Sequence, residues 1–320
     1  MRVPASSGTL LVRLFGAAIL TLASFLQAGA DDGPLLKRFQ AEAPAGWARI
    51  ADRCSKLVVI GSNTDRRAGN SLQVDAPKFT LRIKDLYCLR ISGARLSYEF
   101  GPISLDLAPP KRDPGYSYIY GLNEDYSFGL ERAERGANYR VDGVTFGPGP
   151  TDDARRNLEF EKALFVSPLA GRFYHDDAAE MMKRGGFRVM KIDQVASGDR
   201  QLVQIEFTYD EPGKVGVRPH SGRLLLDPDC HWAVKEAEIT ITRDGKTLMR
   251  PYGWTIDYER DKDGFPEVKR VVEYRNGPYG TIDQHILDVK KWSYEDTDAK
   301  QFRVSAFGVA EPERPAPPPR

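Results

Sequence analysis

Four residues in the segment GRLLLDPDCHWAV, Gly222 to Val234, carry groups that could do chemistry: Asp227, Asp229, Cys230 and His231. Two carboxylates, a thiol and an imidazole could serve a metal site or a catalytic cluster. Their spacing argues for something plainer. Pro228 holds the φ that the second position of a type I turn requires, and Asp227 before it can accept backbone donors. Apolar runs flank the segment on both sides. Cys230 and His231 are adjacent, so on a strand they would point to opposite faces. No C-x2-C pair exists to complete a structural zinc site. The segment therefore predicts a turn between two strands. A metal site, or a disulfide or redox role for Cys230, is the alternative.

The other chemistry-bearing residues are scattered. The histidines are His175, His220, His231 and His285, and none is spaced as H-x3-H. There is no H-E-x-x-H, no G-x-S-x-G and no Walker-type loop. A hydrolase would need a triad assembled from distant residues, with His175, His220 or His285 meeting a serine and an acid. His285 falls opposite the strand face of Ile282 and Ile286, which suits an exposed or satisfied strand histidine. DKDG, Asp261 to Gly264, opens like a calcium loop, but the twelfth position is Val272 where glutamate is required. An Asp-Gly hairpin turn is the better reading. The sequence thus predicts no catalytic residues, no metal site and no cofactor.

The elements that must position any site come from periodicity. Within Asp31 to Gly61, Trp47, Ile50, Cys54 and Leu57 recur at helical spacing and place Cys54 as a core thiol. From Phe79, alternate residues are apolar: Leu81, Ile83, Tyr87, Leu89 and Ile91. Asp85 breaks the row, either pointing inward or marking a turn. Ser92-Gly93-Ala94 leads to a second run, Leu96, Tyr98 and Phe100. Such alternation belongs to antiparallel sheet with one wet face. Two or three strands follow between Tyr116 and Phe146. Helices are predicted near Asp153 to Val166 and near Asp176 to Arg184, the second capped by an aspartate and ended by Gly185-Gly186. About five strands then run to the C-terminus. Among them, GRLLLDPDCHWAVKEAEITITRDG is one hairpin. A second has Trp254, Ile256 and Tyr258 inward and its turn at Asp263-Gly264. Strands and helices do not alternate, so the fold class is α+β. The expected architecture is a large curved antiparallel sheet, an unclosed β-barrel, with an N-terminal helix and a mid-chain helix pair packed on one side.

Charge and the N-terminus narrow the setting. Arg2 and Arg13 precede an apolar run, Leu14 to Leu26, and Ala28 and Ala30 form a small-x-small cleavage pattern. Residues 1–30 are therefore expected to be a signal peptide, 31–309 a single β-rich domain and 310–320 a proline-rich disordered tail. The 13-residue run is too short to span a bilayer comfortably. No later segment is apolar enough, so the mature chain is expected in the periplasm or outside the cell, without an integral membrane segment. Removing the two arginines of the signal leaves 44 basic against 45 acidic residues. That balance argues against nucleic acid and against electrostatic attachment to anionic lipid. Cys54, Cys88 and Cys230 allow one disulfide or none.

The order of helix, strands, helix pair and further strands resembles the bacterial periplasmic lipoprotein-carrier family, the outer-membrane lipoprotein-sorting proteins. The most family-like pieces are GRLLLDPDCHWAV and FRVSAFGVAEP, Phe302 to Pro312. The resemblance implies a half barrel under a helical lid and a non-enzymatic monomer that binds a lipid or lipoprotein. No binding motif of the family aligns residue by residue. The aromatic residues of the inner faces are the natural cavity lining: Tyr98, Tyr126, Phe128, Phe207, Trp232, Trp254 and Tyr258. In a closed core the same residues would be plain filling. Two other functions stay open: an envelope structural or interaction module with a filled core, and a secreted hydrolase.

Overall fold

The computed structural model describes residues 33–68, 79–102, 116–134, 136–147, 153–173, 176–210, 217–243, 246–247, 252–276 and 281–314. The expected signal peptide, His175 and the last six residues of the tail lie outside them.

Helix α1 (Pro34–Arg53) comes first, with proline where no amide donor is needed. Leu36, Phe39, Ala43, Trp47 and Ile50 bury one stripe of it. The stripe does not continue to Leu57, and that expectation is corrected. Cys54 caps the helix, and Leu57 belongs to strand β1 (Lys56–Ala68), from which it enters the same core. The stretch SNTDRR puts polar side chains on both faces of β1, so no alternation marks it as a strand.

A meander follows: β2 (Phe79–Ser92), β3 (Arg95–Pro102), β4 (Ser117–Leu122), β5 (Tyr126–Arg132) and β6 (Arg140–Phe146). β2 runs unbroken through Asp85, which shares the inner face with Tyr87 and Leu89. Helix α2 (Asp153–Phe165) and the 3-10 turn Ser167–Ala170 come next. A two-residue pair, β7 (Arg172–Phe173) and β8 (Asp176–Asp177), leads into α3 (Ala178–Lys183). Asp177 caps α3 by accepting from the amides of Ala179 and Glu180.

The second half holds more strands than the five expected. They are β9 (Phe187–Ser197), β10 (Arg200–Tyr209), β11 (Val217–Asp227), β12 (Ala233–Arg243), the short β13 (Lys246–Thr247), β14 (Tyr252–Arg260), β15 (Pro266–Asn276) and β16 (Ile282–Ser293). All but β7 and β8 join one antiparallel sheet in the order β6-β5-β4-β3-β2-β1-β16-β15-β14-β12-β11-β10-β9, with β13 beside β12. The outer strands β6 and β9 do not pair, so the sheet stays open. Register shifts interrupt several ladders, including β1–β16, β1–β2, β11–β12 and β14–β15. Each such irregularity bends and twists the strand that carries it. This is the expected α+β architecture. All three helices pack into one core on the inner face.

The DPDCHW segment is where α1 is seated. Pro228–Cys230 form a single 3-10 turn, and His231 and Trp232 then adopt left-handed φ values of 54° and 60°. Two consecutive non-glycine residues there are sterically costly and need surrounding contacts to hold them. Trp47 Nε1 donates to the carbonyl of Trp232 at 2.8 Å, and Trp232 Nε1 donates to Glu42 at 3.2 Å. Phe39 packs against both indoles. Gly46 passes so close that a Cβ there would lie 2.3 Å from the His231 carbonyl oxygen. Beneath the turn, the fully buried Asp227 accepts from Arg260 at 3.0 Å and Arg200 at 3.4 Å. The neighbouring Asp261–Gly264 turn closes the β14–β15 hairpin. Asp261 Oδ1 there accepts from the amides of Asp263 and Phe265.

Gly46→Ala is expected to destabilise the protein by about 2–3 kcal/mol, because backbone on both sides of the contact must shift. Urea denaturation checks it; an unchanged midpoint would mean that α1 does not sit against the turn.

Candidate functional site

The structure divides the seven aromatic residues expected to line a cavity. Tyr98, Phe207, Trp232, Trp254 and Tyr258 lie in the main core on the inner face. Tyr126 and Phe128 lie in a second cluster with Ile119 and Leu130, packed against Val304, Phe307 and Val309 of the C-terminal segment. The reason is visible in YSFGL: Ser127 and Gly129 take the inner positions of β5, where Gly129 leaves room for the Tyr118 ring. The large residues between them therefore face outward. The C-terminal segment is held over them by Asn123, which donates to the Phe302 carbonyl at 2.9 Å, and by Tyr126, which donates to Glu311 at 2.5 Å.

On the inner face the aromatic rings form a continuous wall. Tyr87 meets Tyr98, Tyr98 stacks on Phe100, and Phe100 stacks on Tyr118 and Tyr120, with centroids 5.1 to 6.1 Å apart. Phe165 at the end of α2 meets Tyr87 edge-on. Trp254 Nε1 of β14 donates to the Leu164 carbonyl at 3.2 Å and so ties the end of α2 to the other half of the inner face. Two hollows, of about 490 Å³ and 430 Å³, lie at the rim. One is lined by Pro34, Leu35, Arg38 and part of β9; the other is lined by Arg200, Arg260 and acidic neighbours. Neither touches the seven aromatic residues.

The inner face also holds a polar cluster that pattern reading did not find. Asp65 of β1, His285 of β16 and Glu273 of β15 stand opposite one another across three neighbouring strands. His285 Nδ1 lies 2.5 Å from Asp65 Oδ1, while its Nε2 is 3.8 Å from Glu273 Oε2. Glu161 reaches the cluster from α2 and feels the charges of Asp65, Asp85 and Glu273. One step along the strands, Arg67 holds Asp283 through two hydrogen bonds of 2.5 and 2.8 Å. Arg275, stacked over the Phe160 ring, offsets part of the negative charge.

Several buried atoms here have no hydrogen-bond partner: Glu161 Oε2, Glu273 Oε2, His285 Nε2 and the Tyr87 hydroxyl. Glu273 is 2% exposed and Tyr87 wholly buried. Native interiors satisfy such atoms almost everywhere, so a group of them in one place is unusual. Burial pushes the Glu161 carboxyl up to about 8, and neighbouring carboxylates add to the rise. Burial likewise pushes Glu273 up to about 7, against the opposing pull of His285 and Arg275. His285 was expected to be a satisfied or exposed strand histidine. It is buried, with one nitrogen satisfied by Asp65 and the other not. The only sequence signal was its register opposite an aspartate, which cannot be read before the strand order is known.

The remaining candidates are accounted for. His285 has an acid on one nitrogen but no hydroxyl on the other. His220 is exposed. Among the described residues, no three His, Cys, Asp or Glu side chains are placed to hold a metal ion. Cys54, Cys88 and Cys230 are free, buried thiols. Burial pushes Cys54 and Cys230 up to about 12, far from the reactive range. No described helix is long and apolar enough to cross a membrane.

No family profile matches the chain, and no curated protein does. Among solved structures it is similar to a DUF1329 family protein from Desulfovibrio piger, with 12% identity and a TM-score of 0.42, covering 83% of this chain and 99% of that one. It is also similar to a LolA superfamily protein from Nitrosomonas europaea, with 12% identity and a TM-score of 0.33, covering 82% and 98%. Both scores fall below 0.5, and nothing about this chain's ligand follows from them.

Raised carboxyl values have a signed consequence. Between the ordinary glutamate value of 4.5 and about 7, the folded state keeps a proton on Glu273 that the unfolded chain has lost. Stability therefore falls as pH rises through that window. Glu273→Gln should raise stability by about 2 kcal/mol at pH 8 and by almost nothing at pH 4. Urea melts at the two pH values decide it; equal gains at both would show that Glu273 carries no buried proton.

Proposed function

We propose that the protein is a non-enzymatic binding protein of the bacterial envelope. It would take an acyl chain or lipidated ligand between the aromatic inner wall and its helical cover. The observation that carries this reading is the asymmetry of the inner face. A single broad antiparallel sheet is lined with aromatic rings, and it is closed by separate helices that meet the wall through side chains and a few hydrogen bonds. A cover of that kind can shift without breaking a strand ladder. Binding would exchange helix-to-wall contact for ligand-to-wall contact, at about 25 cal/mol per Å² of apolar surface on each side of the exchange. Small differences between the two then set the affinity. The signal-like N-terminus supports export to the periplasm, and the near-neutral charge supports an uncharged contact surface.

The packing also supports a second reading, an envelope structural or interaction module. Tyr98, Phe207, Trp254 and Tyr258 are each at most 5% exposed, and both rim hollows lie away from them. In that case the core is simply full.

Two measurements separate the readings. Native mass spectrometry of protein taken from envelope extracts should find bound lipid. Titration with a fatty acid should change tryptophan emission, and Trp254→Phe should remove most of that change, because Trp254 joins the inner face to the end of α2. Protein free of lipid, with emission indifferent to fatty acids, would favour the structural module.

A further inference from the structure

We propose that the buried cluster at the β1–β16–β15 seam is a subsite for a primary ammonium group carried on an apolar tail. This rests on the reading of the chain as an acyl-binding protein and names the chemical class of its ligand.

Three features of the cluster define what it would accept. The first is sign. Asp65, Glu161 and Glu273 come together from β1, α2 and β15, with Arg275 beside them and His285 between Asp65 and Glu273. Carboxyls outnumber cations, while Arg67 and Asp283 already neutralise each other. The second is unused hydrogen-bonding capacity. Asp65 Oδ1 holds His285 Nδ1 at 2.5 Å, and Nε2 on the far side of the ring has no hydrogen-bond partner. One oxygen each of Glu161 and Glu273 is likewise buried without a partner, so two carboxyl oxygens and a ring nitrogen stand unsatisfied together. A primary ammonium brings three donors and no acceptor. The 3.8 Å between His285 Nε2 and Glu273 Oε2 is too long for a direct bond and leaves the Glu273 oxygen open to another donor. The third is size. Metal ions need donors closing to roughly 2.0–2.6 Å, and among the described residues no such group converges. An ammonium nitrogen sits at ordinary hydrogen-bond distances and tolerates the wider spacing.

The surroundings give the tail a path. Tyr87, whose hydroxyl is unpartnered, lies on the same face as Asp85 and begins the aromatic wall through Tyr98 and Phe100. A headgroup at Glu161 and Glu273 would therefore lay its tail along the rings beneath α2. Charge balance follows. One ammonium enters and one proton leaves Glu161 or Glu273, since burial keeps those carboxyls protonated near neutral pH until a cation arrives.

Calorimetry on the full chain tests this with submicellar dodecylamine, dodecanol, dodecyltrimethylammonium and ethylamine at pH 7. Dodecylamine should bind about tenfold tighter than dodecanol. Buffers of different ionisation enthalpy should report a released proton. Dodecyltrimethylammonium, which has the charge but no N–H donors, should lose most of that advantage. Glu161→Gln with Glu273→Gln should abolish the amine preference, and far-UV circular dichroism with a urea midpoint no lower than the parent's should show that the variant is folded. Equal binding of dodecylamine and dodecanol overturns the ammonium subsite and leaves the acyl-binding reading standing. Measurable ethylamine binding without any binding of dodecanol upholds the cation site and removes the tail. No binding of any probe overturns both.

Discussion

The pairing of β1 with β16 is the constraint on which the rest of the structure depends. It joins two meanders whose residues in contact are 220 positions apart, as in the Asp65–His285 pair. Every strand on either side takes its place from that seam. The approach is close: a Cβ on Gly61 would lie 2.3 Å from the Asp288 carbonyl oxygen. Because side chains alternate, a slip of one residue would turn Asp65 and His285 to opposite faces. The seam's register therefore decides whether the inner face has a polar region at all. It also sets Arg67 beside Asp283, a bidentate pair that anchors the far end of the same ladder.

The inner face is consequently not uniform. The side of β2, β3 and β4 offers rings with few polar tips, and the seam offers carboxyls held in a setting that resists their ionisation. Stability alone would favour apolar residues at the seam, since unpaired buried polar atoms cost about 1–3 kcal/mol each. Retaining them beside an apolar wall gives the interior two chemically distinct ends. Helix α2 spans both, with Phe165 on the rings and Glu161 on the acids.

Much of the fold was legible because one face of most strands alternates cleanly. β2, β3, β12 and β14 declare themselves in that way, and their turns carry Gly93 and Gly264 at positive φ. β1 and β9 were hidden for a physical reason: mixed polar residues in β1 and a half-exposed edge in β9 blur the period of two. The site was less legible than the fold. Asp65, Glu161, Glu273 and His285 lie far apart in sequence on four elements, and only the strand order brings them together. YSFGL shows the opposite failure. Its alternation was plain, but which face is inner depends on Ser127 and Gly129 making room for Tyr118, a neighbour on another strand.

The seat of α1 has a consequence for the order of assembly. Helix α1 precedes every described strand in the chain, but its anchor is the Trp232 carbonyl, 185 residues downstream of Trp47. Until that turn has formed, Trp47 lacks its hydrogen bond and Phe39 lacks the Trp232 ring that packs on it. A helix made ahead of the described strands thus takes its seat only once the β11–β12 turn has been made. Proteins dominated by such distant contacts fold slowly and expose apolar surface while they do so. The delay before that helix can dock is imposed by where a single turn lies in the chain.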